Sequence, residues 1–546
     1  MWKSLFSGLI LTLALVLPAA GAAPGPELLR RQVELLRDGV ALTVADQPVV
    51  AGDLVAALYE RRGFALAWTD PVNRHSLLQA IKASAADGLS PADYHAKALE
   101  DMATRFAAGS LHAEGRLAFD ILLTDAYFTL LNHLDHGKLE PTKTVDNWHL
   151  KRAMWGRDVV ELVDEALAEG DVATLVDLAR HRHPFYWTLR TALRHYSYLG
   201  STGGWPMVPD GATLKPGMRD ERVVALRRRL AHGGDYDGLS EVEPMLYDDG
   251  LAQAVRRFQA RHGLAVDGAV GKETLAALNV PVEARIDQIR LNMERARWVL
   301  GAFDGEFILV NIAGAYVHVI KDEKVLWESR VIVGKPYTET PVFRADLRYL
   351  VVNPTWNVTT TIARQELFPK IRKDPGYLEK NNLDLIDSNG QRVDPATIDF
   401  TGRLPFRIVQ RAGDDNALGK VKFMFPNQYN VYLHDTPRRD LFSRSRRTFS
   451  HGCVRVQHPL ELAELLLSRE PNWDPAALRA QVESGRTRTI PLSKPLPVLI
   501  LYWTVDPDIG GDIRFHADVY GRDAPLLRAL DAPLRVQPRR SSLARD

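Results

Sequence analysis

An intrachain disulfide is excluded at once, because the 546 residues contain a single cysteine, Cys453. A field of one sign is missing as well: 69 Lys and Arg stand against 68 Asp and Glu, a formal charge of +1. That balance argues against nucleic-acid binding through bulk charge, and no nucleic-acid partner is expected. Beyond the first residues no apolar run is long enough to cross a bilayer. What is present, 46% hydrophobic and 25% charged residues, has the composition of soluble globular protein. The chain is longer than one hydrophobic core supports, so several domains are expected.

The opening stretch MWKSLFSGLILTLALVLPAAGAAPGPE reads as an export signal over 1–22. Lys3 supplies the positive start, Leu5 to Leu17 the apolar run, and Ala20-Gly21-Ala22 a small-residue cleavage site. A permanent anchor is the alternative, but the run is short and Pro18 suits a peptidase better. No transmembrane segment is expected after cleavage. In an exported chain an odd cysteine implies a partner chain or a reactive thiol, while inert burial is the bland reading of Cys453.

From about Pro26 to residue 200 the pattern is helical. In EGRLAFDILLTDAYFTLLNHLDHG, residues Leu117, Ile121, Leu122, Leu130, Leu131 and Leu134 recur at helical spacing before a stop at Gly137. His181 and His183 alternate beside Arg with no third ligand nearby, so they are read as surface or packing residues. Gly and Pro crowd residues 200–218 and mark a boundary. The segment 218–281 follows as a compact three-helix unit, with Val223, Leu226 and Leu230 on one helix face and Leu251, Val255 and Phe258 on another. Its run AVRRFQARHGLAVDGAVGKETLAAL resembles the small peptidoglycan-binding domain of cell-wall enzymes. The next helix carries Ile286, Ile289, Met293 and Ala296 on one side and reads as a bridge. After Phe303 the period shifts to strands: EFILVNIAGAYVHVI, VLWESRVIVG, LRYLVVNPTWNV and VKFMFPNQYNVYLHD. A polar insertion at about 362–402 interrupts them and is expected to cap whatever lies beneath.

A thiolate attacks a carbonyl only if a base removes its proton and donors stabilise the oxyanion. Two histidines stand near Cys453 in RTFSHGCVRV and YNVYLHDTP: His451 and His434. A turn at Gly452 separates His451 from Cys453, whereas His434 can arrive from a neighbouring strand. A zinc site of His434, His451 and Cys453 is the competing reading, but it lacks paired-ligand spacing, and no metal or cofactor is expected.

The stretch HDTPRRDLFSRSRRTFSHGCVRV resembles the signature of L,D-transpeptidase catalytic domains. The likeness extends through VGKPYTETPVF, VVNPTWNV and YWTVDPDIGGDIRFHADVYGRD to the large periplasmic form of that family. It implies a multidomain α+β protein: a helical scaffold domain (26–200), a peptidoglycan-binding domain (218–281), a mainly β catalytic domain with a capping insertion (305–505), and a C-terminal extension (506–546). It implies Cys453 as nucleophile, His434 as base with the backbone of Asp435 orienting it, His451 lining the site, and Gly452 with Cys453 supplying oxyanion amides. Arg455 is expected to hold a substrate carboxylate or brace the loop, and Ser450 to hydrogen-bond His451. Tyr432 and Trp356 are either walls of a peptide groove or sheet packing. The implied reaction crosslinks tetrapeptide stems, as donor and acceptor, in the periplasm, with other wall-synthesis proteins as possible partners and carbapenems as acylating agents. A hydrolase, a ligase for lipoprotein lysines, or a non-catalytic wall-binding scaffold are the alternatives.

Overall fold

The computed structural model describes residues 26–144, 158–238, 243–303, 305–374, 376–395, 398, 406–508 and 511–534. The expected export signal, 1–22, and parts of the expected cap, 375, 396–397 and 399–402, lie outside them. The apolar run noted above forms one long helix, α1 (Ala113–His136), which stops at Gly137 with φ +85°. It is buried on nearly every side, so its acidic residues need internal partners. Asp120 accepts the Ala67 and Trp68 amides at 2.8 and 2.9 Å, and Asp125 those of Val50 and Ala51 at 2.8 and 2.6 Å. The helices of 26–179 pack around it in a core of their own.

The next helix, α2 (Pro184–Ser201), starts with His183 as its cap: the Phe185 amide donates to His183 Nδ1 at 3.1 Å. His181 donates from Nε2 to the Asp135 carbonyl at 2.8 Å. Although α2 falls in the stretch read as scaffold, Phe185, Tyr186, Leu189 and Leu193 belong to the large core shared with the β-sheet. The three-helix unit (Arg222–His232, Asp249–Arg261, Lys272–Leu278) keeps a separate small core of Val223, Leu226, Leu230, Leu251, Val255 and Phe258.

The bridging helix α3 (Val282–Val299) is more than one-sided. Its second half is buried all round, including Asn292, Glu294, Arg295 and Arg297. Each polar group meets a partner from a different part of the chain. Glu294 accepts the Leu139 amide at 2.7 Å and pairs with Arg297 at 3.1 Å. Arg297 also donates to Tyr186 Oη at 3.0 Å and to the Asp87 carbonyl. Arg295 pairs with Asp523 at 2.6 Å, and Asn292 donates to Thr504 Oγ1 at 2.8 Å. The helix therefore locks the scaffold, α2 and the C-terminal segment to one axis.

Nine strands form the main sheet: β1 (Glu306–Asn311), β2 (Tyr316–Lys321), β3 (Lys324–Gly334), β4 (Phe343–Val352), β5 (Val421–Met424), β6 (Leu433–His434), β7 (Thr448–Ser450), β8 (Val454–Val456) and β9 (Arg488–Leu501). Their order is β7-β3-β8-β6-β5-β4-β9-β1-β2, and β2 also pairs with β3, so the sheet curls back on itself. The core side takes Phe423, Leu433, Val454 and Val456, all 0% exposed, and period-2 alternation sends their neighbours to the opposite face.

The insertion is a small body of its own, wider than the polar stretch suggested. Strands Trp356–Asn357, Phe406–Gln410 and Leu383–Asp387 pair in that order, and short helices between 360 and 380 bury Leu367, Phe368, Ile371 and Leu378 against them. At the other end of the chain, Ile513, Phe515, Leu526 and Leu530 join the main core, so the described part of the expected C-terminal extension packs with the sheet's domain. No helix among the described residues is long and apolar enough to cross a membrane.

Asp87 anchors the junction of these parts: fully buried, it pairs with Arg180 at 3.0 Å and Arg190 at 2.9 Å and accepts from Tyr186 Oη at 3.1 Å. Removing one member of such a cluster strands the buried cations. Asp87→Ala is therefore expected to cost about 3–5 kcal/mol, read as a lowered unfolding midpoint of the full chain.

Candidate active site

The register of three strands assembles the site. Strand β6 runs parallel to β8 with Leu433 opposite Val454 and His434 opposite Arg455. It runs antiparallel to β5 with Lys422 opposite His434. Directly paired residues share a face, and so do residues two apart on one strand. Tyr432, His434, Arg455 and Lys422 thus emerge together on the face away from the core, with Cys453 one residue ahead of β8 beside Tyr432. His434 and Cys453 are diagonal neighbours, about 5 Å apart across the strands and about 7 Å along them by backbone spacing.

His434 is 4% exposed, and its Nδ1 lies 2.5 Å from the Asp435 carbonyl oxygen. A carbonyl can only accept, so Nδ1 carries the hydrogen and Nε2 is left with its lone pair. Burial, then the charges of Arg455 and Lys422, hold the imidazole down to about 3, against the partial support of the Asp435 bond. The Asp435 side chain does not turn toward a ligand. Its buried carboxylate accepts the Lys420 amide at 2.8 Å and the Thr436 amide at 2.7 Å, and pairs with Arg439 at 2.6 Å. Asp435 therefore acts on His434, through its backbone, and not as a substrate contact.

The Cys453 thiol is half-buried and reaches the Asn430 carbonyl at 3.5 Å. Burial pushes its pKa up, while hydrogen bonds from the Tyr432 amide and hydroxyl and the charges of Arg455 and Lys422 pull it down. The resting pair is thus neutral thiol and neutral imidazole.

The loop before Cys453 departs from expectation in two respects. Ser450 is 2% exposed and donates to the Cys453 carbonyl at 2.5 Å, bracing the turn and not His451. The Gly452 amide donates to Ser450 Oγ at 3.1 Å, so it is spent inside the turn and not offered as an oxyanion donor. Gly452 has φ +113°, a conformation that L side chains avoid, and this makes the tight turn possible. The Cys453 amide has no acceptor among the described residues. A second loop clamps the first. Thr340 Oγ1 donates to the Gly452 carbonyl at 2.8 Å, and the Lys335 amide to the Ser450 carbonyl at 3.0 Å. Tyr520, from the C-terminal segment, braces that loop in turn by donating to the Gly334 carbonyl at 2.8 Å.

His451 points outward and donates from Nε2 to Glu366 of the cap at 2.6 Å. The sequence offered no signal for Glu366, since the contact spans 85 residues. Lys422 was also missed, although alternation in Val421-Lys422-Phe423 places it outward. Tyr432 does line the face, its ring 5.6 Å from that of His434. Trp356 packs against the cap's own apolar cluster, which favours the packing reading for it.

Comparison with known proteins agrees with this layout. Residues 305–489 match the family model "L,D-transpeptidase catalytic domain", residues 219–278 "Putative peptidoglycan binding domain" and residues 53–193 "Scaffold domain". A Haemophilus influenzae protein named "Putative L,D-transpeptidase" is 35% identical over 271 residues, which make up 48% of this chain and 54% of that protein. The match thus spans about half of that relative. Among solved structures, an L,D-transpeptidase from Stackebrandtia nassauensis is 15% identical, covering 54% of this chain and 96% of its own, with a TM-score of 0.21. Another from Xylanimonas cellulosilytica is 17% identical, covering 54% and 99%, with a TM-score of 0.16. Scores that low carry no argument here. The chain thus carries, in order, regions similar to a scaffold domain, a peptidoglycan-binding domain and an L,D-transpeptidase catalytic domain.

Proposed function

We propose that the protein is a periplasmic L,D-transpeptidase that crosslinks peptidoglycan stems through a thioester on Cys453. The observation that carries this reading is the bond from His434 Nδ1 to the Asp435 carbonyl. It leaves Nε2 as a free base on the face that holds the thiol.

In the proposed reaction, His434 Nε2 takes the thiol proton as Sγ attacks the carbonyl between the diamino acid at the third stem position and the terminal D-Ala. The oxyanion that forms faces the unused Cys453 amide, with Arg455 and Lys422 adding positive charge nearby. Collapse breaks the C–N bond, and His434 returns the proton to the departing D-Ala amine. A side-chain amine of a second stem then attacks the thioester. His434 accepts its proton and passes it back to the sulfur as the crosslink forms. A cap over the site favours an amine acceptor by limiting water. The same residues serve a hydrolase or a lipoprotein ligase, and only the acceptor distinguishes them.

Mass spectrometry of tetrapeptide muropeptides incubated with the purified protein is the direct test. Crosslinked dimers with loss of D-Ala are expected. Tripeptides without dimers would identify a hydrolase, and no turnover with retained wall binding would identify a scaffold. Cys453→Ala should abolish turnover and remove any carbapenem adduct from the intact mass while leaving the unfolding midpoint in place. His434→Ala should lower kcat/KM by about 10²–10⁴.

The pH profile follows from the base. A neutral imidazole is required, and burial with Arg455 keeps His434 neutral down to about 3. The acid limb of kcat/KM is therefore expected well below the ordinary histidine value of about 6.5, with activity retained down to about pH 5. A limb centred near 6.5 would mean that His434 is not the base.

A further inference from the structure

One cation on the cleft face is not used by the signature residues. Lys422 is half-buried, lies opposite His434 in the register, and holds its Nζ 5.3 Å from the centre of the Tyr432 ring. It has no hydrogen-bond or ion-pair partner among the described residues. Some buried cations elsewhere are paired, as Lys138 with Asp93 at 2.7 Å and Arg295 with Asp523 at 2.6 Å. Others rest on carbonyls and rings, as Arg229 on the Leu278 carbonyl at 2.6 Å and the Trp205 ring, whereas Lys422 has the Tyr432 ring alone among the described residues. Arg455, on the other side of His434, likewise lacks an ion pair among the described residues, and its buried Nε has no partner. The two nearby acids are committed, Glu366 to His451 at 2.6 Å and Asp435 to Arg439 at 2.6 Å. The face around the thiol and the imidazole therefore holds two cations without counter-ions.

Withdrawing a charge from water with no partner is costly, and a ligand carboxylate would offset that cost at Lys422. On the function proposed above, the donor supplies an anion at a fixed place. The leaving residue ends in a carboxylate three bonds from the carbonyl carbon that Sγ attacks. It is present whichever diamino acid occupies the third position. A stem that continued past that residue, or ended in an amide, would lack it.

We propose that Lys422 binds the C-terminal carboxylate of the leaving residue, with Arg455 as its neighbour across His434, and so selects stems that end one residue beyond the scissile bond. An ammonium suits this task as a compact point charge, while Arg455 remains free to orient the chain or the loop.

The inference rests on the proposed function, but binding can test it without turnover. In a Cys453→Ala background, calorimetry compares a tetrapeptide stem carrying a free C-terminal carboxylate with the same peptide as a C-terminal amide. The free acid is expected to bind at least tenfold tighter. Adding Lys422→Gln should erase that preference by weakening the acid alone, and Lys422→Arg should restore much of it. A preference that survives Lys422→Gln, an equal loss for both peptides, or equal or undetectable binding of both would overturn the assignment. Turnover by the unaltered protein is scored separately. Acid-selective binding without any product would sink the proposed reaction and leave Lys422 as a carboxylate site.

Discussion

An imidazole has two ring nitrogens, and it can serve as a base toward sulfur only if its proton is held on the other one. Here that is done by a backbone carbonyl, which cannot donate and so admits a single tautomer. The carbonyl belongs to Asp435, whose own position is set by three donors on its carboxylate and by its amide, which donates to Val421 at 2.9 Å. Gly419 completes the arrangement. At φ +60°, a Cβ there would stand 2.3 Å from the Asp435 carboxyl carbon, so no side chain fits without moving the anchor. Gly419, Asp435 and His434 are thus linked by close contacts, with Cys453 on the same face of the neighbouring strand.

The sulfur is held by a different kind of restraint. Its loop is folded on itself by Ser450 and then clamped by the loop at 334–340, which Tyr520 supports from the C-terminal segment. Because the Gly452 amide is consumed in that folding, oxyanion stabilisation in the proposed reaction would fall to the Cys453 amide and to the surrounding cations. The cap touches this loop through His451 and Glu366, both partly open to solvent. Exposed pairs of this kind contribute little, roughly 0–1 kcal/mol. The cap thus has its own apolar core and meets the motif through this partly exposed pair.

The sequence pointed to the candidate residues more readily than to their supports. Cys453 and His434 stood out because a lone thiol and a strand-end histidine are rare and sit at fixed spacing. The strand pattern also placed β1 to β6, since β-branched alternation is a local property. What stayed hidden depended on distant packing. The buried Glu294, Arg295 and Arg297 of α3 look like a solvated face until partners from other segments are in place. Lys422 reads as an ordinary outward lysine, because alternation says which way it points and not what lies there. Ser450 and Gly452 were assigned to His451 and to an oxyanion, but a turn with φ +113° spends both on itself.

The two unpaired cations bear on how the neutral resting pair becomes reactive. In the free site Arg455 and Lys422 both disfavour an imidazolium at His434, and both favour negative charge on Cys453. They therefore help the thiol give up its proton while hindering the base from keeping it. A carboxylate docked at Lys422 cancels part of that hindrance. The imidazolium formed on attack then sits beside a neutralised lysine, and the developing oxyanion retains Arg455. On the proposed function, base strength would rise with the peptide end in place and fall again when it departs. Donor recognition and proton transfer would then be two effects of one electrostatic arrangement, set by Lys422 and Arg455 on either side of His434.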